Sequence, residues 1–427
     1  MSMTAHQQEV SSGVTTCVER GQKRVVLKGS AGVGKTYVAK ELVMWFLRNY
    51  LAKANDRWDT SCIYVTAPTN KALSILQGKM PDHPKIVFKT VHSALKLRRD
   101  VNPKTGEVKF VPDYSERNPA FEGCKLAIID ECSMLPSELL DLLDDFRFPI
   151  IFLGDDKQLN PVGEALSPVF NRGYPTYELE EIVRQGAGNP IIELSRNLGL
   201  ITSRVPNLID GMGYTYLNNR DKIIENLAEV NGTDEMKYLS WINADVDGMN
   251  TIVRKRLYGD YPSRIEHGET LVFNAPFGDI YTNKEVRVDD VKVVIEEVAV
   301  PTSFSKYDRD NVPNAVDYIK MKVYRVNDTI RVLHEHSDNM FRVVLNTLKT
   351  NCSKFGWNWK GKFFFEEQFA SIKYNHAITI HKSQGSTYKD TILNVGGVLK
   401  NRNVDERNRL LYTGITRAAN LLIINNL

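Results

Sequence analysis

Short apolar, β-branched runs alternate with helix-periodic segments through the first 180 residues of the chain. The apolar runs predict strands at Val25–Leu27, Ile63–Thr66, Leu126–Ile129 and Ile150–Leu153. The periodic segments predict helices at Thr36–Ala52, Asn70–Gly78 and Ser137–Asp145. This alternation is typical of an α/β fold in which helices cover both faces of a parallel sheet. Ligands of such sheets bind at the carboxyl ends of the strands, and the polar motifs of the chain follow these strands directly.

Two segments interrupt this alternation and predict insertions. Between residues 96 and 123 the chain is polar, and a turn signal at Pro103–Gly106 predicts a small β-hairpin. From about residue 263 to residue 372 we expect a β-rich insertion, after which strand and helix patterns resume at Ala377–Ile380. The insertion contains two alternating segments, one helical segment and one aromatic segment: Val286–Val300, Tyr318–Leu333, Asn339–Lys349 and Phe355–Phe365.

Length and composition narrow the class of protein without identifying it. The 427 residues predict two or three domains, since domains average about 150 residues. The content of 42% hydrophobic and 25% charged residues is ordinary for a globular protein. No apolar run approaches the roughly 18 residues of a membrane helix, and the N-terminus has no signal layout, so we expect a cytoplasmic protein and no membrane partner. The net charge of +3 does not by itself indicate nucleic acid, and five scattered cysteines without a C-x-x-C pair suggest neither zinc nor disulfides.

The segment Gly29–Thr36, with the sequence GSAGVGKT, matches the phosphate-loop pattern G-x-x-x-x-G-K-[ST]. It follows a predicted strand and opens a predicted helix, which is the context that this motif requires. Glycines allow backbone N–H groups to close around phosphate oxygens, and the start of the helix favours negative charge. Lys35 should reach the β- and γ-phosphates, and the Thr36 hydroxyl should ligate Mg²⁺.

Two further strands end in groups suited to hydrolysis of a nucleoside triphosphate. Asp130 and Glu131 end an apolar strand, so Asp130 would hold the Mg²⁺ shell and Glu131 would polarise the attacking water. Gln158 follows the next strand and can bond both that water and the γ-phosphate. A well-placed arginine would stabilise the charge that builds on the γ-phosphoryl oxygens, and the candidates are Arg184 and Arg417.

Taken in order, eight motifs resemble those of superfamily 1B, the RecD/Dda-like DNA helicases. They are GSAGVGKT (29–36), TAPTNKA (66–72), TVHSAL (90–95), IIDECSM (128–134), GDDKQLNPV (154–162), VRQ (183–185), ITIHKSQGST (378–387) and LYTGITRA (411–418). The segment Lys237–Leu257 also resembles the start of the second RecA-like lobe in this family. The resemblance implies an ATP-dependent, Mg²⁺-requiring motor that moves 5′ to 3′ on single-stranded DNA and unwinds duplexes in replication or recombination.

The resemblance also implies roles for single residues in the nucleotide site. Glu131 would be the base, Gln158 the γ-phosphate sensor, and Arg184 and Arg417 two arginines supplied by the second lobe. A glutamine near the N-terminus reads adenine in this group, which leaves Gln7 and Gln8 open, with Gln7 in the matching position. The remaining nucleotide contacts and metal ligands would be Gly29, Ala31, Gly32, Gly34, Lys35, Thr36, Asp130, Gln384 and Gly385.

Nucleic acid would run over the motifs TAPTNKA, TVHSAL and HKSQGST, which offer small donors for phosphate oxygens and no base-reading pattern. The predicted contacts are Thr66, Pro68, Thr69, Asn70, Thr90, His92, Ser93, Asn243, Thr379, His381, Lys382 and Ser386. The aromatic residues Trp357, Trp359 and Phe363–Phe365 could stack bases, brace the hairpin or form buried core.

The resemblance divides the chain into RecA-like lobe 1A (1–95 and 124–180), a 1B pin hairpin (96–123), lobe 2A (181–262 and 373–427) and an SH3-like 2B insertion (263–372). It implies a monomer that acts on single-stranded and fork DNA in a bacterial or phage-infected cytoplasm, with a single-strand-binding protein as a candidate partner. Three alternatives stay open: an NTPase switch, an RNA-directed helicase and a non-enzymatic nucleic-acid scaffold. Intact Lys35, Asp130 and Glu131 argue against the scaffold.

Overall fold

The computed structural model describes residues 3–51, 60–113, 119–161, 163–181, 189–303 and 315–426. The helices and strands up to residue 181 are α1 (Ala5–Glu19), β1 (Arg24–Gly29), α2 (Lys35–Phe46), β2 (Cys62–Ala67), α3 (Asn70–Gln77), β3 (Ile86–Thr90), α4 (Val91–Ala94), β4 (Leu97–Val101), β5 (Val108–Pro112), β6 (Cys124–Ile129), α5 (Ser137–Asp144), β7 (Ile150–Gly154) and β8 (Thr176–Leu179). The four predicted strands and three predicted helices of this region are confirmed. The helix that begins at Lys35 continues as a π-helical turn from Leu47 to Leu51, and Ala52 lies outside the described residues.

Six of these strands form the first sheet, in the order β3-β2-β6-β7-β1-β8, and all neighbours are parallel. Strands β2 and β7 are buried along their whole length, because one apolar cluster covers each face of the sheet. This burial explains why the strands are continuous apolar runs instead of alternating ones. The loops after β1, β2, β6 and β7 therefore meet at one edge of the sheet.

A second six-stranded sheet follows in the rest of the chain. Its order is β18-β11-β19-β20-β10-β9, and it is parallel except for the edge pair β9–β10. Elements of the second half are α6 (Pro190–Arg196), β9 (Asn207–Ile209), β10 (Met212–Tyr216), α7 (Arg220–Val230), β11 (Met236–Ser240), α8 (Asn243–Tyr258), β12 (Thr270–Phe273), β13 (Glu285–Arg287), β14 (Val291–Ser303), β15 (Ala315–Val326), β16 (Ile330–Leu333), α9 (Asp338–Phe355), α10 (Lys360–Glu366), β17 (Ile372–Tyr374), β18 (Ala377–Thr379), β19 (Tyr388–Asn394), α11 (Val395–Leu399), α12 (Val404–Ile415) and β20 (Ala418–Asn425). The two parallel sheets are the cores of a first and a second RecA-like lobe.

The two interruptions of the α/β pattern are antiparallel, as their alternation predicts. Strands β4 and β5 form a hairpin in which Leu97 pairs with Pro112 and Val101 with Val108. The larger interruption holds two three-stranded sheets, β13-β12-β17 and β14-β15-β16, together with helices α9 and α10. Helix α9 is longer at both ends than predicted, and the SH3-like character of the insertion stays a prediction.

The tip of the hairpin is held by an aromatic residue of the insertion. The Trp359 ring N–H donates to the carbonyl of Lys104 at 3.1 Å, and its backbone N–H donates to the carbonyl of Pro103 at 3.1 Å. A Cβ at Gly106 would lie 2.6 Å from the indole, so this turn position needs glycine. Of the other predicted aromatics, Phe365 is fully buried in the insertion's core. The aromatic segment thus supplies both core and a brace for the hairpin.

Candidate functional site: a nucleotide cavity between two lobes

A cavity of about 990 Å³ lies where the loops of the first sheet face the second lobe. Its lining includes eleven of the predicted nucleotide and metal residues: Gln7, Ala31, Gly32, Gly34, Lys35, Thr36, Asp130, Glu131, Gln158, Gly385 and Arg417. Two predicted residues, Gly29 and Gln384, are not part of this lining. The Gly29 carbonyl accepts a hydrogen bond from the Lys35 ammonium at 2.6 Å, so it acts within the loop.

The phosphate loop owes its shape to two glycines and to the start of α2. Gly32 and Gly34 have φ values of 88° and 87°, a region that other residues rarely adopt. Helix α2 begins at Lys35, and Lys35, Thr36 and Tyr37 of its first turn line the cavity. Lys35 Nζ also donates to the Ser30 carbonyl at 3.1 Å, which folds its side chain back over the loop. Backbone donors, a helix start and an ammonium group together suit a triphosphate.

Two adjacent carboxylates, Asp130 and Glu131, follow β6 and line the same cavity as the phosphate loop. Burial in the cleft raises the pKa of both Asp130 and Glu131, and each is opposed by the positive charge of Lys35. The Asp130 carboxylate also raises the pKa of Glu131, while Arg417 lowers it. Glu131 has a φ of 52°, which is rare for a non-glycine residue, and its N–H donates to Asp130 Oδ1 at 2.8 Å. A carboxylate whose pKa is raised in this way is a better proton acceptor than an exposed one.

Gln158 and Arg417 bring one polar group from each lobe to the same cavity. Gln158 is 3% exposed, and among the described residues its Oε1 has no hydrogen-bond partner. Arg417 is 5% exposed, and its guanidinium is held by the carbonyls of Thr413 at 3.1 Å and Ser386 at 2.9 Å. The arginine is therefore fixed by its own lobe while it faces residues of the other lobe. Arg184, the second predicted arginine, lies outside the described residues.

Of the two candidate glutamines, Gln7 lines the cavity and Gln8 does not. Gln7 is 1% exposed, donates from Nε2 to the Val33 carbonyl at 3.1 Å, and closes a capping box with Thr4 at the start of α1. Gln8 is exposed and bonds the Met3 carbonyl at 3.1 Å. Gln7 is thus held against the phosphate loop by its bond to Val33, at the wall of the cavity.

Two residues of the second lobe approach the first lobe closely beside the cavity. Gln384 Nε2 donates to the Leu159 carbonyl at 3.4 Å, directly after Gln158. A Cβ built on Gly385, whose φ is 72°, would lie 2.9 Å from the Ala72 Cβ. Glycine is required at this position because the two lobes are in contact here and leave no room for a Cβ.

Several cavity residues were not predicted from the sequence. Tyr37, Lys40 and Lys79 line the wall, and Lys79 contributes positive charge near Asp130. Lys40 lies one helical turn after Thr36, so helical spacing could have indicated it. Lys79 follows the end of α3 and reaches the cavity only through the fold.

Some of the predicted nucleic-acid contacts are available on the surface. Ser93, Asn243 and Lys382 are exposed, and Lys382 Nζ donates to Asn274 Oδ1 at 2.8 Å. A second group is half-buried: Pro68, Thr69, Asn70, His92 and His381. Burial lowers the pKa of both histidines, so at neutral pH they are uncharged and offer stacking or hydrogen bonds instead of positive charge.

Four other predicted nucleic-acid contacts have buried side chains, so their hydroxyls make bonds within the protein or face the nucleotide cavity. Thr66 is 0% exposed and donates to the Ile128 carbonyl at 3.2 Å, which ties β2 to β6. Thr90 and Thr379 accept N–H bonds from Ser93 and Lys382, respectively, and so cap the turns that follow their strands. Ser386 is buried and faces the nucleotide cavity.

The fold and the cavity define a class: a P-loop NTPase with two RecA-like lobes and its nucleotide site between them. Comparison with known proteins refines this class. The AAA domain family matches residues 15–164, and the UvrD-like helicase C-terminal domain family matches residues 374–424. The ATP-dependent DNA helicase Dda of Enterobacteria phage T4 is 26% identical over 97% of both chains. An uncharacterized protein of Acanthamoeba polyphaga mimivirus is 26% identical over 93% of this chain and 94% of its own.

The solved structure of a Bacteroides Pif1 helicase in complex with ADP-AlF3 and ssDNA has the same fold. Its TM-score is 0.51, with 16% identity over 99% of this chain and 92% of that one. The motif series, the two-lobed fold and the full-length similarity to Dda together support a superfamily 1B helicase. Among the described residues, no helix has the length and apolar character needed to cross a membrane.

Proposed function

We propose that this protein is an ATP-dependent motor that moves 5′ to 3′ along single-stranded DNA and unwinds duplex DNA in replication or recombination. One observation carries the proposal: Arg417 of the second lobe lines the same cavity as Lys35 and Glu131 of the first lobe. Hydrolysis then depends on how the lobes are arranged, and it changes that arrangement. The full-length similarity to a DNA helicase supports the same activity.

Within the cavity each side chain has a task that follows from its position. Lys35 and the loop amides bind the β- and γ-phosphates, and Gln7 faces the adenine. Glu131 accepts the proton of the attacking water, and Gln158 orients that water against the γ-phosphate. Arg417 stabilises the charge that develops on the phosphoryl oxygens, and Arg184 is proposed as a second arginine on the strength of its motif alone.

The Thr36 hydroxyl and the Asp130 carboxylate suit Mg²⁺, because both line the cavity and both are oxygen donors. Bound there, Mg²⁺ would neutralise charge on the β- and γ-phosphate oxygens. Burial raises the pKa of Asp130 because it penalises the negative charge, and a bound cation would reduce that penalty.

The DNA track is proposed to cross the exposed and half-buried residues that follow β2, β3 and β18. These include Thr69, Asn70, Ser93 and Lys382, on both sides of the junction where Gly385 touches Ala72. Small polar groups and one ammonium group contact phosphates without reading bases, so binding should be independent of sequence. Each change in the distance between lobes would move one part of the track relative to the other.

The hairpin β4–β5 is proposed to split the duplex as a pin. The division of the chain into lobes 1A and 2A, pin 1B and insertion 2B is proposed with it. A two-stranded hairpin is marginal by itself, so a wedge needs support. Trp359 supplies support at the tip, and Arg99 both pairs with Glu367 and lies 4.8 Å from the Phe363 ring centre. These contacts tie the hairpin to the insertion instead of leaving it free.

The first test is steady-state ATP turnover with and without a single-stranded oligonucleotide, with DNA and RNA side by side. We expect strong stimulation by DNA, followed by unwinding of 5′-tailed but not 3′-tailed duplexes. Stimulation by RNA to the same degree would make the protein an RNA-directed helicase. No stimulation by either would favour the NTPase switch and contradict the motor.

One chain supplies both lobes of the site, so the protein is proposed to act as a monomer in the cytoplasm. Sedimentation of the protein on a tailed duplex, together with turnover at increasing protein concentration, tests this. A specific activity that rises with concentration would contradict a monomer.

A single-strand-binding protein is a proposed partner, and a pull-down with purified protein of that type would test it.

A further inference from the structure

Tyr412 lies on α12 of the second lobe, and its hydroxyl contacts the first lobe at two points. It donates to Asp155 Oδ2 at 2.6 Å and accepts from the backbone N–H of Ala31 at 3.2 Å. Asp155 follows β7 in the loop that carries Gln158, and Ala31 belongs to the phosphate loop. Tyr412 is 4% exposed and Asp155 is 1% exposed, so water does not replace this contact.

The chemistry of the contact makes it specific. Within the described ranges, no other donor reaches Asp155 Oδ2, while Oδ1 accepts from the Lys157 N–H at 3.1 Å. A buried carboxylate oxygen without a donor is costly, so loss of the tyrosine hydroxyl cannot be neutral. Burial and the neighbouring Asp155 raise the pKa of Tyr412, which keeps the proton on the hydroxyl for donation.

A second residue of the same helix reinforces this contact. Arg409, one turn before Tyr412, donates from Nη1 to the carbonyls of Asp156 and Gln158, the latter at 2.7 Å. Helix α12 thus holds the loop that carries Gln158 from two directions. Arg417 lies two residues after the end of this helix, so one short segment of the second lobe carries all three groups.

We propose that Tyr412 is a positioning residue for hydrolysis, which fixes the phosphate loop and the Asp155 loop against each other when the lobes close. The phosphate loop follows β1 and the Asp155 loop follows β7, which pair as neighbours up to Lys28 and Gly154. The sheet therefore fixes where the two loops start, but not their spacing beyond that point. A hydroxyl from the opposite lobe that bonds both loops does so only in the closed arrangement. It therefore brings Gln158 and Arg417 to the γ-phosphate together. The inference rests on the proposed function, since it concerns the same hydrolytic site.

The experiment compares Tyr412→Phe with Tyr174→Phe in DNA-stimulated ATP turnover over a range of ATP concentrations. Tyr174 is the matched control, because its hydroxyl also donates to a carboxylate, Asp144 at 2.7 Å, but within one lobe. For Tyr412→Phe we expect kcat to fall about tenfold, the size expected for one hydrogen bond to a charged group, while KM for ATP changes less than about threefold. Tyr174→Phe should keep the wild-type kcat. Wild-type kcat in Tyr412→Phe would overturn the inference.

A double-mutant cycle with Asp155→Ala separates positioning from general structural damage. If the hydroxyl acts through Asp155, the double variant should have nearly the same kcat as the slower single variant. If the fold losses of kcat in the two single variants multiply in the double variant, the inference is overturned, because the two groups then act independently. Failure of the proposed function looks different: the wild-type protein itself would show no stimulation by single-stranded DNA.

Discussion

The nucleotide cavity and the proposed DNA track lie at the same edge of the two sheets, but their side chains have different roles. In the cavity, charged groups from separate segments of the chain line one volume, among them Lys35, Glu131 and Arg417. Along the track, Thr69 follows β2, while Thr90 and Thr379 end β3 and β18. Each of the three accepts an N–H bond from the residue three positions later. The cavity is lined by charged side chains from several segments, whereas these threonine side chains of the track stabilise turns.

This difference teaches where substitutions should be severe. A group that meets the γ-phosphate has no substitute, because its charge and position are both used in the reaction. A track that contacts phosphates at many points spreads its affinity over several groups, so each one matters less. The effects of single substitutions should therefore fall steeply from the cavity to the track.

The largest expected effect is that of Lys35→Ala, which removes the ammonium group from the phosphate loop. ATP turnover should fall to background with and without DNA, because no other described group occupies that position in the loop. The measurement is phosphate release, with Lys125→Ala, an exposed lysine on β6, as the control. Near-normal turnover in Lys35→Ala would contradict the assignment of the cavity.

Arg417→Ala should leave ATP binding largely intact and lower turnover by about 10³-fold, the size of effect seen when such an arginine is absent. The reason is that Arg417 acts on charge that develops during hydrolysis. Turnover and the affinity for a fluorescent ATP analogue are measured together, with Arg407→Ala on the same helix as the control. Among the described residues, the Arg407 side chain makes no hydrogen bond or ion pair. A parallel loss of binding would show that Arg417 holds the ground state instead.

The extent to which the sequence predicts this site depends on how local the signal is. Gly29–Thr36 and Asp130 with Glu131 could be found because their chemistry is contiguous and follows a strand. Whether the Thr66 side chain is buried or exposed could not be predicted from the sequence. A hydroxyl at the end of a strand can bond a neighbouring carbonyl or face the surface, depending on the pleat and on the adjacent strand. Tyr412 and Lys79 required the fold, because their partners lie far away in the chain.

The same limit holds for the fold as a whole. The buried parallel strands of the first lobe were predictable from apolar runs, and the hairpin from its turn. The strand order of the second sheet was not, because β18 enters beside β11 across an insertion of more than a hundred residues. The brace between Trp359 and the hairpin tip likewise depends on contact between segments that are distant in sequence.

An intermediate effect is expected where the hairpin is weakened. Replacing Val101–Phe110 with a short Gly-Ser turn, or changing Trp359→Ala, should impair strand separation while translocation and DNA-stimulated turnover persist. The unwinding rate of a 5′-tailed duplex is compared with arrival at a strand end on single-stranded DNA. Tyr261→Ala is the matched aromatic control, since Tyr261 is 97% exposed. Unchanged unwinding would place the pin elsewhere, and loss of both activities would make the hairpin part of the track.

The smallest effects are expected on the track, and two substitutions there separate a surface contact from a buried one. Lys382→Ala removes one exposed ammonium group, so affinity for single-stranded DNA should fall several-fold, and the slope of log affinity against log salt should shrink by about 0.7. Thr66→Val keeps the shape of a fully buried residue and removes only its bond to Ile128. It should cost about 1 kcal/mol of stability and leave DNA affinity unchanged within about twofold. Equal losses of affinity in the two variants, measured by titration at several salt concentrations, would return Thr66 to the track and show that the cavity and the track are built alike.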